Sequence, residues 1–268
     1  NKGAQELKGL NIEISPFVCD NEEEQLAQLK EIADKGPGEY GGVITISFTR
    51  ASEVLMQFQR MLAKDMRVLV IDDHIEIPEG LISIPPREIQ VGKVAAELAA
   101  LITQGKGRIL VSCGRKDSKI HEGRLESFCN YIKENKPELI IELVTGYTRN
   151  MDHRGELYKN ACEALDKYSD ICLIYALTSH DNRAFVEALE KHGNNKKVAI
   201  IGTDLNEETL EFLKKKRMSA VIDQNPYDKG YMAFKIMVDC LIKNMSVPDV
   251  IPCRIDIALE NNADLYAD

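Results

Sequence analysis

The run Val221-Ile222-Asp223-Gln224-Asn225-Pro226 passes from an apolar, strand-like pair straight into a carboxylate and two amides before a helical pattern begins. The same grammar recurs along the chain. Ser47 and Thr49, Asp72 and Asp73, Cys113 and Gly114, Thr178, and Thr203 and Asp204 each stand at the carboxyl end of an apolar run. Carboxylate, amide and guanidinium groups match vicinal hydroxyls through paired, charge-assisted hydrogen bonds. The chemistry on offer is therefore recognition of a small polar molecule. In open α/β sheets ligands bind in the crevice outside the carboxyl ends of the strands. One polar end is an ordinary loop, and Asp223-Gln224-Asn225 alone also reads as a strand-to-helix turn capped by Asn225. Six such ends, drawn from both halves of the chain, describe a lined cleft.

Bond-making chemistry is not signalled. Gly36-Pro37-Gly38-Glu39-Tyr40-Gly41 spells GxGxxG, but it follows a helix and precedes a strand. A dinucleotide fingerprint needs the opposite context, so these glycines read as a helix stop and a turn. There is no GxxxxGK[ST], GxSxG or HExxH, and no nucleophile–base pair stands out. Asp72-Asp73-His74 could be a metal site, yet a strand sends adjacent side chains to opposite faces; carboxylate hydrogen-bonding to a ligand is favoured. His121, His153, His180 and His192 lie in polar surroundings and read as solvated. Neither an enzyme nor a cofactor or metal is expected.

The elements that must position these groups alternate along the chain. Strands are expected at Ile12–Val18, Gly42–Ser47, Arg67–Asp72, Arg108–Cys113, Leu139–Thr145, Ile171–Ala176, Lys197–Thr203, Ser219–Asp223 and Ile251–Leu259. Most are short and apolar on both faces, as buried parallel strands are. Amphipathic helices are expected at Glu22–Asp34, Ala51–Lys64, Gln90–Thr103, His121–Glu134, Gly155–Tyr168, Asn182–His192, Glu207–Lys216 and Tyr227–Lys243. The repetition gives an α/β fold of two doubly wound parallel-sheet lobes. Gln104-Gly105-Lys106-Gly107 reads as the first boundary between them, with further crossings near Gln224–Pro226 and Pro248–Pro252. The expected division is residues 1–104 with 226–248 against 105–225 with 249–268. Asn1–Gly9 reads as the tail of a helix, which places one central strand upstream of Asn1.

Composition narrows the setting. The 268 residues are 44% hydrophobic, enough for real cores, and carry a formal charge of −9. An acidic balance argues against the chain itself gripping a phosphate backbone. Its seven cysteines are odd in number and include no CxxC pair. They read as reduced, structural thiols, which favours a cytoplasmic setting. No signal peptide is evident, and a chain opening on Asn1 reads as a piece of a longer protein.

The pattern resembles the type I periplasmic-binding-protein fold, shared by sugar-binding transport proteins and the effector domains of lactose/galactose-repressor-type regulators. Val91-Gly92-Lys93-Val94-Ala95-Ala96-Glu97-Leu98 with Gly105-Lys106-Gly107-Arg108-Ile109-Leu110-Val111 looks like that family's helix and crossover. Arg124-Leu125-Glu126-Ser127-Phe128 is similar to its RxxGF helix start, with Ser127 in place of glycine. Ile201-Gly202-Thr203-Asp204 resembles its VGFD strand end, and Ala220 to Tyr231 its hinge crossing and following helix. The resemblance implies that Asp72, Arg124, Asp204 and Gln224 match positions that commonly hydrogen-bond a sugar, with Ser47 and Thr178 at neighbouring contact positions. Thr178-Ser179-His180-Asp181 departs from the Asn-Asp pair often found there, and Asp73 stands where sugar binders often have Arg. With no Trp and 6% aromatic residues, stacking on a sugar face falls to Phe48, Tyr147 or residues upstream.

Two functions follow from the resemblance. The favoured one is the effector-binding domain of a repressor-type regulator, closing on a carbohydrate or polyol in the interlobe cleft. It would act as a homodimer, touch DNA only through an upstream helix-turn-helix, and have no membrane contact. The alternative is an exported sugar-binding protein of an ABC transporter, or an extracellular sensor domain.

Overall fold

Most of the strand candidates are apolar on both sides because helices cover both faces of the central strands. A computed structural model describes residues 12–46, 51–72, 78–115, 118–146, 153–193 and 198–266, and in it the strands form two sheets flanked by helices. The chain divides into two units, Asn1–Pro86 with Pro226–Cys253 and Arg87–Asn225 with Arg254–Asp268. It therefore passes between them three times.

In order, the described elements are α1 (Glu22–Lys35), β1 (Gly42–Thr45), α2 (Ala51–Leu62), β2 (Arg67–Ile71) and β3 (Leu81–Ile84) in the first unit. The second unit contributes α3 (Glu88–Thr103), β4 (Gly107–Ser112), α4 (Lys119–Asn135), β5 (Leu139–Val144), α5 (His153–Lys167), β6 (Ile171–Tyr175), α6 (Asn182–His192), β7 (Ala199–Thr203), α7 (Glu207–Lys214) and β8 (Ala220–Asp223). The chain returns for α8 (Pro226–Lys243) and ends in the second unit with β9 (Asp256–Ala258).

In the first unit the parallel order is β1-β2-β3. Successive strand side chains point to opposite faces, and β2 shows the result. Val68 and Val70 pack with Leu29, Ile32, Phe58 and Met61 of α1 and α2, whereas Leu69 and Ile71 pack with Ala233, Met237 and Cys240 of α8. The second unit has the order β5-β4-β6-β7-β8-β9, parallel except for β9, which runs antiparallel to β8. Leu110, Ile174, Ile200 and Val221 face Leu157, Phe185 and Leu189 of α5 and α6; Ile109, Val111, Tyr175 and Ile201 face Val91, Ala95, Phe128 and Ile132 of α3 and α4.

Three sequence expectations are corrected. The first crossing lies at Pro86–Arg87, so α3 belongs to the second unit and Gln104–Gly107 is only a helix-to-strand turn inside it. The reason is a close helix crossing. Small residues Gly92, Ala95, Ala96 and Ala99 line the buried side of α3, and a Cβ built on Gly92 would come within 2.1 Å of Ser127 Oγ and 2.3 Å of the Arg124 carbonyl oxygen on α4. The third crossing falls at Cys253–Arg254, because Asp249–Ile251 still bonds to β3: Ser83 N–H donates to Asp249 O and Ile251 N–H to Ser83 O. Ile12–Val18, expected as a strand, has no regular structure and is mostly exposed, Val18 at 82%. Among the described residues it has no neighbouring strand to complete a ladder, and an unpaired extended segment gains nothing over solvation. β3 was not expected at all.

The Gly92 contact gives a direct test. Gly92→Ala should destabilise the protein by about 1–3 kcal/mol through overpacking, measured by urea unfolding. Gly230→Ala, on an exposed turn of α8 where a Cβ meets nothing within 4 Å, should be neutral or stabilising by up to about 1 kcal/mol.

Candidate functional site

With both sheet faces buried, polar side chains gather where strands end. Three residues just past strands take left-handed backbone conformations: Asp72 after β2 (φ 52°), Asp204 after β7 (φ 63°) and Asn225 after β8 (φ 53°). Asp and Asn tolerate this region because their short side chains bond locally. Each is also pinned, Asp72 N–H donating to Ile84 O and Asp204 N–H to Ile222 O, both at 2.9 Å.

In the first unit, the Asp72 carboxylate is 30% exposed and its Oδ1 accepts a 2.5 Å hydrogen bond from Lys229 Nζ, a side chain only 2% exposed. Beside it, Gln25 Nε2 donates to Ile46 O at 2.7 Å and fixes the end of β1. Ser47 and Asp73, expected at this end, lie outside the described residues, as do Phe48 and Tyr147.

In the second unit the expected groups fall into two kinds. Asp204 and Gln224 are partly exposed, and Gln224 Nε2 donates to Asp204 Oδ1 at 3.3 Å. Arg124, on α4, is buried (3% exposed), and its Nη1 donates to Leu177 O at 2.5 Å. Its Nε has no hydrogen-bond partner, and no carboxylate pairs with it among the described residues. Arg124, Asp204 and Asp181 all lie close enough to act on the Tyr175 hydroxyl, which burial pushes up to about 12 while Arg124 pulls the other way. Tyr175 is itself fixed by stacking on Phe128, with ring centroids 4.8 Å apart.

Thr178, by contrast, is buried at 5% and engaged internally: its N–H donates to Asp181 Oδ2 at 3.2 Å, and its carbonyl accepts from Asp181 N–H. Asp181, fully buried, also accepts from Ser112 Oγ at 2.6 Å, and Ser112 Oγ accepts from Leu177 N–H at 2.8 Å. This chain of bonds fixes the Leu177 carbonyl that holds Arg124. Asp223 plays a similar part. Its two oxygens accept from Leu205 N–H and Asn225 N–H at 3.0 Å each, and burial raises its pKa against those bonds. Thr203 turns inward, Oγ1 donating to Ala176 O. The sequence missed three contributors: Asp181, Ser112 and Lys229. Lys229 was legible in principle, since it shares a stripe of α8 with buried Ala233, Met237 and Cys240, where a charge is out of place.

Among the described residues no helix is long and apolar enough to cross a membrane, and no group of three His, Cys, Asp or Glu could hold a metal ion. No disulfide joins the seven cysteines, of which Cys240 and Cys253 are buried.

Comparison with known proteins fits this geometry. A family model described as a periplasmic binding protein domain matches residues 2–244. The D-allose-binding periplasmic protein of Escherichia coli (strain K12) is 23% identical over 253 residues, which is 91% of this chain and 79% of that protein. An ABC transporter periplasmic solute binding protein from Actinobacillus succinogenes 130z, solved with bound D-allose, superposes with a TM-score of 0.83 at 17% identity, covering 99% of this chain and 93% of that one. A putative LacI transcriptional regulator from Bacteroides fragilis gives 0.77 at 18% identity, covering 99% and 91%. At these identities the solved structures establish the fold.

Asp181→Ala should cost about 1–3 kcal/mol, because it leaves the buried Ser112 hydroxyl and Thr178 N–H without their acceptor. Chemical denaturation checks this. His180→Ala, on the exposed side of the same turn, should leave stability within about 0.5 kcal/mol.

Proposed function

The chain belongs to the periplasmic binding protein domain family, and from that premise we propose that it binds an uncombined sugar for transport or sensing, as a solute-binding protein does. The observation that carries this reading is Arg124: a buried guanidinium with an unpaired Nε, beside the partly exposed Asp204–Gln224 pair. A buried charge without a partner costs several kcal/mol, and sugar hydroxyls supply the acceptors it lacks while donating to the Asp204 carboxylate. Asp72 offers the corresponding carboxylate in the first unit. Names of relatives support the ligand class, since the curated relative is a D-allose-binding protein and a solved neighbour holds D-allose.

The regulator reading is the second. It draws on the likeness to the putative LacI regulator and on seven cysteines outside any disulfide, which suit a reducing compartment. Light scattering on the intact protein separates the two: a monomer with and without sugar supports transport, a stable dimer supports the regulator.

Thermal-shift titration with D-allose, D-ribose, D-xylose, L-arabinose and D-galactose tests the sugar reading. At a hundredfold excess over Kd, a bound sugar should add about 2.7 kcal/mol of stability. Asp204→Ala and Gln224→Ala should each abolish that gain while leaving the unliganded protein folded. A protein stabilised by no sugar, or equally stabilised in both variants, overturns the reading.

A further inference from the structure

Lys229 is the one charged side chain on the buried stripe of α8, in register with Ala233, Met237 and Cys240. Lysine is almost never fully buried unless paired, and here its Nζ meets Asp72 Oδ1 at 2.5 Å. The two partners differ in exposure. Lys229 is sealed at 2%, whereas Asp72 stands 30% open at the end of β2. The cation therefore lies behind the carboxylate. It grips one carboxylate oxygen, and the group stays partly exposed. Backbone geometry holds Asp72 from beneath, through its left-handed φ and its 2.9 Å bond to Ile84 O. Stability does not require this arrangement, since well-packed apolar residues commonly replace a buried ion pair at no loss. What the pair does provide is a fixed acceptor whose negative charge is cancelled from inside.

We propose that Lys229 is a positioning residue that sets ligand charge: it orients Asp72 toward the ligand and neutralises it, so that the site takes uncharged sugars and rejects sugar phosphates, sugar acids and amino sugars. The proposal rests on the sugar-binding reading above and deepens it. An anionic ligand would find no cation to pair with, because the ammonium is sealed behind the carboxylate it already compensates. A cationic amino sugar would gain less from Asp72 than from a bare carboxylate, because the paired charge is already compensated.

The test is calorimetric titration of the five neutral aldoses above, D-galacturonate, D-galactose 6-phosphate and D-galactosamine against the wild type, Lys229→Arg, Lys229→Met, Asp72→Asn and the double variant Lys229→Met with Asp72→Asn. The wild type should bind at least one neutral aldose, and each charged sugar at least about tenfold more weakly than its neutral parent. Lys229→Met should weaken that aldose about tenfold or more, in keeping with the loss of an oriented charged acceptor; Lys229→Arg should stay within about threefold. If Lys229 acts only through Asp72, the double variant binds no worse than Asp72→Asn alone. Lys229→Met should also move the galactosamine-to-galactose affinity ratio toward the amino sugar, a change that mere loosening of α8 would not produce. Wild-type affinity for Lys229→Met, additive losses in the double variant, or an unmoved ratio would overturn the role given to Lys229. A wild type that prefers the phosphate or uronate would overturn the charge rule while sparing the sugar reading; one that binds none of these compounds removes both.

Discussion

A parallel sheet covered on both faces leaves polar side chains nowhere to go except past the ends of its strands. That constraint organises both units. Val68 and Val70 serve one core of the first unit while Leu69 and Ile71 serve the other, so Asp72 is the first position after β2 free to be polar. The same holds in the second unit, where β7 ends on an inward-turned Thr203 followed by Asp204, and β8 on a buried Asp223 followed by Gln224. The left-handed backbone at Asp72, Asp204 and Asn225 turns the chain sharply at each of these places. Recognition groups are thus set by the backbone rather than by loop composition.

The polar groups at these ends divide the labour. Asp181, Ser112 and Asp223 are spent internally, each bonded to backbone or hydroxyl groups that fix a turn. Asp204, Gln224 and Asp72 stay partly open. Arg124 belongs to neither class, being buried and held by one carbonyl, with no carboxylate among the described residues to compensate it. Lys229 is the counterpart case, a buried cation fully compensated by Asp72. Burial without compensation is expensive, which makes Arg124 the residue hardest to explain by stability.

Much of this was legible in the sequence, for physical reasons that also explain the failures. Period-2 burial on both faces writes long apolar runs, so β2, β4, β6, β7 and β8 stand out. β3 did not, because Leu81–Ile84 is a four-residue run squeezed between Gly80 and Pro85-Pro86, too short for periodicity to register. The composition of Gln104–Gly107 suggested a domain boundary, yet packing decided otherwise: the small face of α3 against α4 outweighs a flexible-looking turn. Ile12–Val18 has strand composition without a strand to pair with, and composition cannot report a partner. Asp72, Asp204 and Gln224 were expected from their position after strands, and each is partly exposed there. The roles of Asp181 and Lys229 depend on contacts across 69 and 157 residues, which no local pattern encodes.

The proposed sugar role makes Arg124 a residue kept buried and uncompensated for a ligand's sake. Replacing it with methionine, similar in length and apolar, and measuring both unliganded stability by denaturant unfolding and sugar affinity by calorimetry, addresses this most directly. The variant should be at least as stable as the wild type without sugar and unable to bind one. A variant that loses stability yet still binds sugar would contradict it, and would make Arg124 a brace for Leu177 and nothing more.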